Sequence, residues 1–330
     1  MSSSYVHAKM KRLLIAAFAA LPALASVAQD APYPSHAVKI VVPFAAGGAT
    51  DITARLIGEK LAKKWGQPVV VENHAGAGGN VGSDLVAKAK PDGYTLLLGV
   101  TGSHAINTSL MKSMPYHPLR DFEPLTLATV FPNAIVVNAK VPASTLPELI
   151  ALLKANPTGY SYGSDGNGTA SHLTMELLKA RGGFSIVHVP YKGGAPMVND
   201  LVGGQIQVGI TGLPAVQPHV KAGTLKLIAI TTATRMPASP DYPTIAEQGF
   251  PGFAAAPWAG FFAPKGTPAP IVAKLSADLV EVMQMPDVQQ KMRELGSQLV
   301  PDSPAEFRKF VEDEIAKWAE AVKVSGASVD

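Results

Sequence analysis

The stretch that most constrains the fold is Val38 to Asp51, VKIVVPFAAGGATD. A short, mostly β-branched run gives way across a glycine pair to Ile52, Leu56, Ile57, Leu61 and Trp65 at helical spacing. The period changes between residues 43 and 51, so a strand runs directly into a helix. Gly47 and Gly48 let the backbone approach a partner without a Cβ, and Thr50 or Asp51 can cap the helix. Several backbone N–H groups then point into one cup, which attracts anions, carboxylates included, without any Lys or Arg. The same residues also suit a capped turn that holds no ligand.

The construction recurs along the chain. Pro68 to Glu72 predicts a second strand, entering the glycine-rich run His74 to Gly79 and a helix over Asn80 to Lys90. Tyr94 to Val100 predicts a third strand, ending at Thr101-Gly102-Ser103. The middle of the chain repeats the pattern: strands at 134–138, 160–163, 186–190, 207–211 and 225–231 alternate with helices at 146–154, 170–180 and up to Val202. Its loops Ser164 to Thr169 and Tyr191 to Gly194 are again small and polar. Alternation of this kind predicts parallel sheets with ligands outside the carboxyl ends of the strands. Two such layers suggest a cleft gripped from both sides. Ala256 to Ala263 then predicts a strand and Ile271 to Met283 a helix. A last helix over 304–322 carries Phe307, Phe310, Val311, Ile315, Trp318 and Val322 on one stripe, a core face rather than a ligand box.

Composition narrows the function. Residues 1–28 carry Lys9, Lys11 and Arg12, an apolar run from Leu13 to Leu24, and Ser26-Val27-Ala28, which together predict an export signal cleaved after about Ala28. No later segment approaches the roughly 20 apolar residues of a membrane span. Removing three of the 28 Lys and Arg leaves 25 against 25 Asp and Glu, so the mature chain is formally neutral and a nucleic-acid footprint is not expected. With no cysteine there is no disulfide, Cys-based metal site or Cys nucleophile. The eight histidines never fall in H-x-H or H-x-x-x-H spacing, and no metal or cofactor is expected.

Other motifs compete. Gly159-Tyr160-Ser161-Tyr162-Gly163 matches G-x-S-x-G, with Asp200 and His219 following in triad order, the alternative being a secreted α/β hydrolase using Ser161. A nucleophile elbow needs an apolar strand before the serine and a helix immediately after it, whereas Asn156-Pro157-Thr158 precedes it here. Gly76, Gly78 and Gly82 resemble a dinucleotide fingerprint, but no acidic residue ends the following strand. His172, one turn into a helix, either reaches the Thr169 cup or packs and caps. Lys192 is the cation seated in a cup, meeting a ligand carboxylate or pointing to solvent.

Pro43-Phe44-Ala45-Ala46-Gly47-Gly48-Ala49-Thr50-Asp51 with Arg55, Glu72-Asn73 with Gly76-Ala77-Gly78-Gly79 and Gly82, and Pro91-Asp92-Gly93-Tyr94 form a distinctive set. With Ser164, Gly166, Gly168-Thr169, His172-Leu173, Val189 to Gly193 and Pro257-Trp258, they make the whole mature chain resemble the substrate-binding proteins of the tripartite tricarboxylate transporter system, the Bug receptors. The resemblance implies a two-lobed, hinge-closing α/β fold of the periplasmic-binding-protein type II kind. One lobe would span 29–128 with 255–330, the other 129–254. It implies that Phe44, Gly47, Gly48 and Asp51, opposite Ala77 and Gly78, hold one ligand carboxylate. Ser164, Gly168 and Thr169 would then read the far end, with Thr101 and Ser103 near the crossover. The chain departs from the family at His74-Ala75, at Asp165, at Thr211-Gly212 and at Ala259. If Asp165 faces the cleft, it would repel a second carboxylate or favour a ligand amine. Ligands open to this reading are citrate-like, dicarboxylate, amino-acid and aromatic acids. The expectation is a monomeric periplasmic receptor delivering a small organic carboxylate to membrane permease subunits, or feeding a signalling sensor. No enzymatic activity is expected.

Overall fold

The computed structural model describes residues 33–236, 239–327 and 329; the export signal read in residues 1–28 lies outside them. His36–Asp330 pack as one compact unit containing two sheets.

In the first sheet, β1 (Val38–Val42) leads through its glycine turn into α1 (Ala49–Trp65), then β2 (Val69–Asn73), α2 (Asn80–Ala87) and β3 (Thr95–Val100). β1 pairs in parallel with β2 on one side and β3 on the other. Val38, Ile40, Val41 and Val42 are buried, each worth about 1.5–3 kcal/mol relative to exposure. A π-turn over Gly102–Ile106 and the short α3 (Asn107–Leu110) follow, and then β4 (Phe122–Val130).

The chain crosses at Phe131-Pro132 into β5 (Asn133–Asn138), which starts the second sheet. α4 (Leu146–Ala155), β6 (Ser161–Ser164), α5 (Ala170–Gly182), β7 (Val187–Pro190), α6 (Gly194–Gly203), β8 (Val208–Gly212), α7 (Leu213–Lys221) and β9 (Leu225–Ile230) complete it. The strand order is β7-β6-β8-β5-β9. The chain then returns to the first sheet as β10 (Trp258–Pro264), followed by α8 (Ala269–Gln284), α9 (Pro286–Glu294), β11 (Gln298–Leu299) and α10 (Pro304–Ser325). The first sheet has the order β11-β4-β10-β3-β1-β2. The chain is thus a two-lobed α/β protein.

Neither sheet is purely parallel, contrary to the sequence expectation. β10 runs antiparallel to β3 and β4, and β5 antiparallel to β8 and β9. The reason lies in the crossings. A strand that enters a lobe from the cleft runs away from the cleft, opposite to neighbours that run toward it. The crossings are tied together by backbone bonds from Phe131 N–H to Pro257 O (3.1 Å) and from Ala255 N–H to Thr231 O (2.9 Å).

α10 begins in a reciprocal capping box between Ser303 and Glu306. It buries Phe307, Val311 and Trp318 beneath the first sheet, as the stripe predicts, and also meets α5 of the second lobe.

Candidate functional site

The first cup is held open by one carboxylate. Gly47 sits at φ +84°, a conformation only glycine adopts easily, and Gly48 is the N-cap of α1 without a side chain to satisfy the helix's first N–H groups. The sequence reading gave the capping role to Thr50 or Asp51 and assigned Asp51 to holding the cup. Both instead lie inside the first turn, and Asp51 reaches back to accept from Gly47 N–H at 2.9 Å. The same carboxylate accepts from Arg55 Nε and from Asn73 Nδ2, each at 2.9 Å, while Asn73 Nδ2 also donates to Phe44 O. Burial alone would raise the Asp51 pKa, but hydrogen bonds from Arg55, Gly47 and Asn73 outweigh it and hold the group below the ordinary carboxylate value. Its negative charge is therefore spent on the loop and leaves the helix N-terminus free for another anion.

Asp51→Ala should cost roughly 2–4 kcal/mol of stability at pH 7 in urea unfolding, since it strands Gly47 N–H and the Asn73 amide. Because the folded pKa is lowered, this contribution is present above the ordinary carboxylate pKa and is lost as pH falls through the lowered value. The wild-type and mutant curves should converge in acid; a mutant as stable as wild type at pH 7 would remove Asp51 from this role.

The second cup is a run of positive φ: Gly76 (+147°), Ala77 (+47°), Gly78 (+62°) and Gly79 (+99°). It is pressed against the second lobe. A Cβ on Gly78 would lie 2.4 Å from Asn167 O, one on Gly102 2.8 Å from Gly168 O, and one on Gly168 2.2 Å from Asn107 Oδ1. A backbone bond from Ala45 N–H to Lys192 O (3.0 Å) joins the lobes directly. The lobes are thus closed on each other.

Between them lies a small cavity of about 40 Å³. Gly48, Thr50 and Thr101 line it from the first lobe, Asn133, Asp165 and Thr169 from the second. A second, outer compartment of about 190 Å³ is bounded by Gly76, Ala77 and Gly78 on one side and Gly166, Asn167 and Lys192 on the other. Phe44 and Asp165 border both spaces. α6 also starts at the inner cavity, at Gly194, again with no side-chain cap. Two helix N-termini from opposite lobes therefore bring positive dipole ends to a space whose one ionisable lining side chain, among the described residues, is Asp165.

Of the residues singled out in the sequence, Phe44, Gly48, Thr101 and Thr169 line the inner cavity, while Ala77, Gly78 and Lys192 border the outer compartment with Phe44. The others stand behind these walls. Gly47 and Asp51 build the first cup. Thr101 joins β3 to β10, accepting from Trp258 N–H (2.7 Å) and donating to Trp258 O (3.2 Å). Ser103 is turned inward, its Oγ 3.2 Å from Val100 O and 2.9 Å from His104 Nδ1. Ser164 Oγ lies 2.7 Å from His188 Nε2 and accepts from Gly166 N–H. Gly168 packs on Asn107. His172 is packed: its ring stacks on His188 at 4.6 Å and accepts from Gly168 N–H at 3.4 Å. Burial lowers both imidazole pKa values, that of His188 to about 4, so the stack is neutral at pH 7.

Gly194, from the loop read as a cup, and Thr211, read as a departure from the family, also line the cavity, as do Asn133 and Phe131, whose place there sequence reasoning missed. Asn133 could have been found as the one polar residue where the chain enters the apolar run AIVV. The hydrolase alternative fails on geometry: Ser161 sits at the start of β6 against Gln207, Asp200 accepts from Tyr191 Oη (2.6 Å), and His219 lies in the last turn of α7.

Two α/β lobes joined by paired crossings and shut over a cavity with helix N-termini on both walls define a solute-binding protein. Residues 53–326 match the model of the tripartite tricarboxylate transporter family receptor, and the chain belongs to that family. BugT of Bordetella pertussis is 39% identical over 323 residues, which is 97% of this chain and 99% of that protein. The solved periplasmic binding protein BugD is 38% identical, with a TM-score of 0.87 over 90% of this chain and 99% of that one. MatC of Rhodopseudomonas palustris, solved with bound malate, is 35% identical, with a TM-score of 0.84 over 88% of this chain and 100% of that one. The protein is a solute receptor of this transporter family and not an enzyme.

Proposed function

We propose that the inner cavity holds a small organic carboxylate, one of whose carboxylate groups lies at the N-terminus of α1. The observation that carries this reading is the uncapped turn at Gly48, whose N–H groups face a cavity without any basic side chain, while Asp51 is neutralised within its own loop. The malate bound by MatC is of the same chemical class. Phe44, Gly47, Gly48 and Asp51 with Ala77 and Gly78 form the first end of the site. Thr101 and Ser103 stand at the crossover, and Ser164, Gly168, Thr169, His172 and Lys192 form or support the second end. The lobes span 29–128 with 255–330 and 129–254, a division supported by the crossings at 131–132 and between 231 and 257. The mature receptor starts after about Ala28, acts as a monomer, and delivers its ligand to the permease subunits by closing in the bound state. No helix of the described residues is long and apolar enough to cross a membrane.

A thermal-unfolding screen of residues 29–330 against di- and tricarboxylates, amino acids and aromatic acids tests this. A ligand at about 100 times its Kd should add about 2.7 kcal/mol and raise the midpoint by several degrees. Gly48→Asp is the control. Its Cβ has room, 3.7 Å from Ala45 O and 3.8 Å from Gly194 N, and an aspartate at an N-cap is better than glycine by roughly a few tenths of a kcal/mol. The mutant should therefore be at least as stable as wild type without ligand, yet show no carboxylate-dependent shift. A shift equal to wild type would sink the assignment to α1.

A further inference from the structure

The second lobe's side of the cavity does not mirror the first. Asp165 follows directly on β6, and its carboxylate borders both compartments between Thr211 and the start of α6. Thr211 Oγ1 donates to Asp165 Oδ1 at 2.6 Å, and Asp165 N–H donates to Ser171 Oγ at 3.0 Å. Only the hydroxyls of Thr211 and Ser171 attend the Asp165 carboxylate, and among the described residues no Lys or Arg pairs with it. Asn133 carries the complementary gap. It is 1% exposed, lines the same cavity, and its Nδ2 has no acceptor. The cavity therefore presents a carboxylate without a cation and a donor without an acceptor. Two such groups are costly to bury unless a ligand completes them.

We propose that Asp165 receives a protonated amine of the ligand, so that this receptor selects carboxylic acids that carry an ammonium group over plain dicarboxylic acids. The inference rests on the carboxylate reading above and specifies the other end of the same site. A second carboxylate beside Asp165 would set two negative charges together behind closed lobes, where screening by water is weakest. An ammonium group there supplies donors to the Asp165 carboxylate in a charge-assisted bond, and the ligand's own carboxylate occupies the helix N-terminus across the cavity. Burial pushes the Asp165 pKa up to about 6, with Thr211 and Ser171 pulling it partly back. A cation in contact favours the charged form, whereas a second carboxylate pushes the pKa further up.

Length-matched pairs test the proposal by calorimetry at pH 7.5 on residues 29–330: succinate against 4-aminobutanoate, glutarate against 5-aminopentanoate, with aspartate and glutamate as branched probes. In wild type the best amino acid should bind at least about tenfold more tightly than its dicarboxylate partner. Asp165→Asn keeps the shape and the Thr211 bond while removing the charge. It should weaken that amino acid by about thirtyfold or more and strengthen the dicarboxylates. Tighter binding of dicarboxylates by wild type, with Asp165→Asn leaving the order unchanged, would overturn the role of Asp165 while the carboxylate receptor stands. Binding of neither series to protein whose circular dichroism reports a native fold would overturn both. Equal loss of both series in Asp165→Asn would mark a structural role and overturn the selection of amines.

Discussion

Replacing Gly102 by leucine should leave both lobes folded and weaken ligand binding by about a hundredfold or more. Gly102 has an ordinary backbone conformation, so the substitution brings no φ penalty, unlike changes at Gly78 or Gly168. Its obstacle is tertiary. A Cβ there lies 2.8 Å from Gly168 O across the cleft and 3.0 Å from Gly78 O on its own side. The contact within the first lobe needs a shift of a few tenths of an ångström, whereas a whole side chain against the Gly168 carbonyl holds the lobes apart. Overpacking of this kind costs about 1–3 kcal/mol or more, and it falls on the closed state alone. A ligand that requires closure loses affinity by the same free energy, about tenfold for each 1.4 kcal/mol. Calorimetry should show the loss, circular dichroism should be unchanged, and X-ray scattering should show a larger radius of gyration with ligand present than in wild type. Wild-type affinity in Gly102→Leu would mean that closure at this contact is not part of binding.

The second large effect is on stability, at Glu314. This side chain is buried in α10, and its Oε2 accepts from both Trp258 Nε1 and Trp318 Nε1 at 2.9 Å, while Lys317 pairs with the other oxygen. Trp258 opens β10 just after the return crossing and lines the ligand cavity. One carboxylate thus fastens the last helix to the wall of the site. Glu314→Ala strands two indole N–H groups and leaves a gap among Trp258, Phe307 and Phe310, and should cost about 3–5 kcal/mol. Glu314→Gln retains a single oxygen that can accept from both indoles, and should cost about 1–2 kcal/mol. Urea unfolding of the three proteins orders them. Equal losses in the two mutants would show that charge, not acceptor geometry, is what the tryptophans require.

Much of the fold is legible in residue order because its rules are local. β1, α1, β2, β3 and the repeating units of the second lobe follow from short periodicities and glycine punctuation. The elements left unread have sequences that disguise them. β4, FEPLTLATV, contains Pro124, which a central strand rarely tolerates, yet it pairs with Phe262 where the β10 register shifts. α7 carries Pro214 in its first turn and Pro218 inside it, so the pattern reads as a loop. α9 and β11 are too short to announce themselves. Strand directions were misread for a different reason: alternation predicts parallel neighbours, and only the route of the chain between lobes reverses β5 and β10.

The site divides in the same way. The amino-acid sequence by itself determined that Gly47 and Gly48 would form a cup between a strand and a helix, that Gly76 to Gly79 would form a second glycine-rich loop, and that a small polar loop would end at Thr169 ahead of α5. Those outcomes depend on φ preferences and on hydrogen bonds within about four residues. The tertiary structure decided which loops meet, and so that Ser103, Ser164 and His172 support the walls while Asn133, Asp165 and Thr211 line the cavity. It also decided that Asp165 meets no cation, whereas Asp51 holds its cup largely through local bonds. Asp51 finds Gly47 and Arg55 within one turn and Asn73 on the adjacent strand, whereas the environment of Asp165 is assembled from β8, α6 and the opposing lobe, from residues scattered over much of the chain. Charge compensation between such distant segments arises only when the lobes are packed.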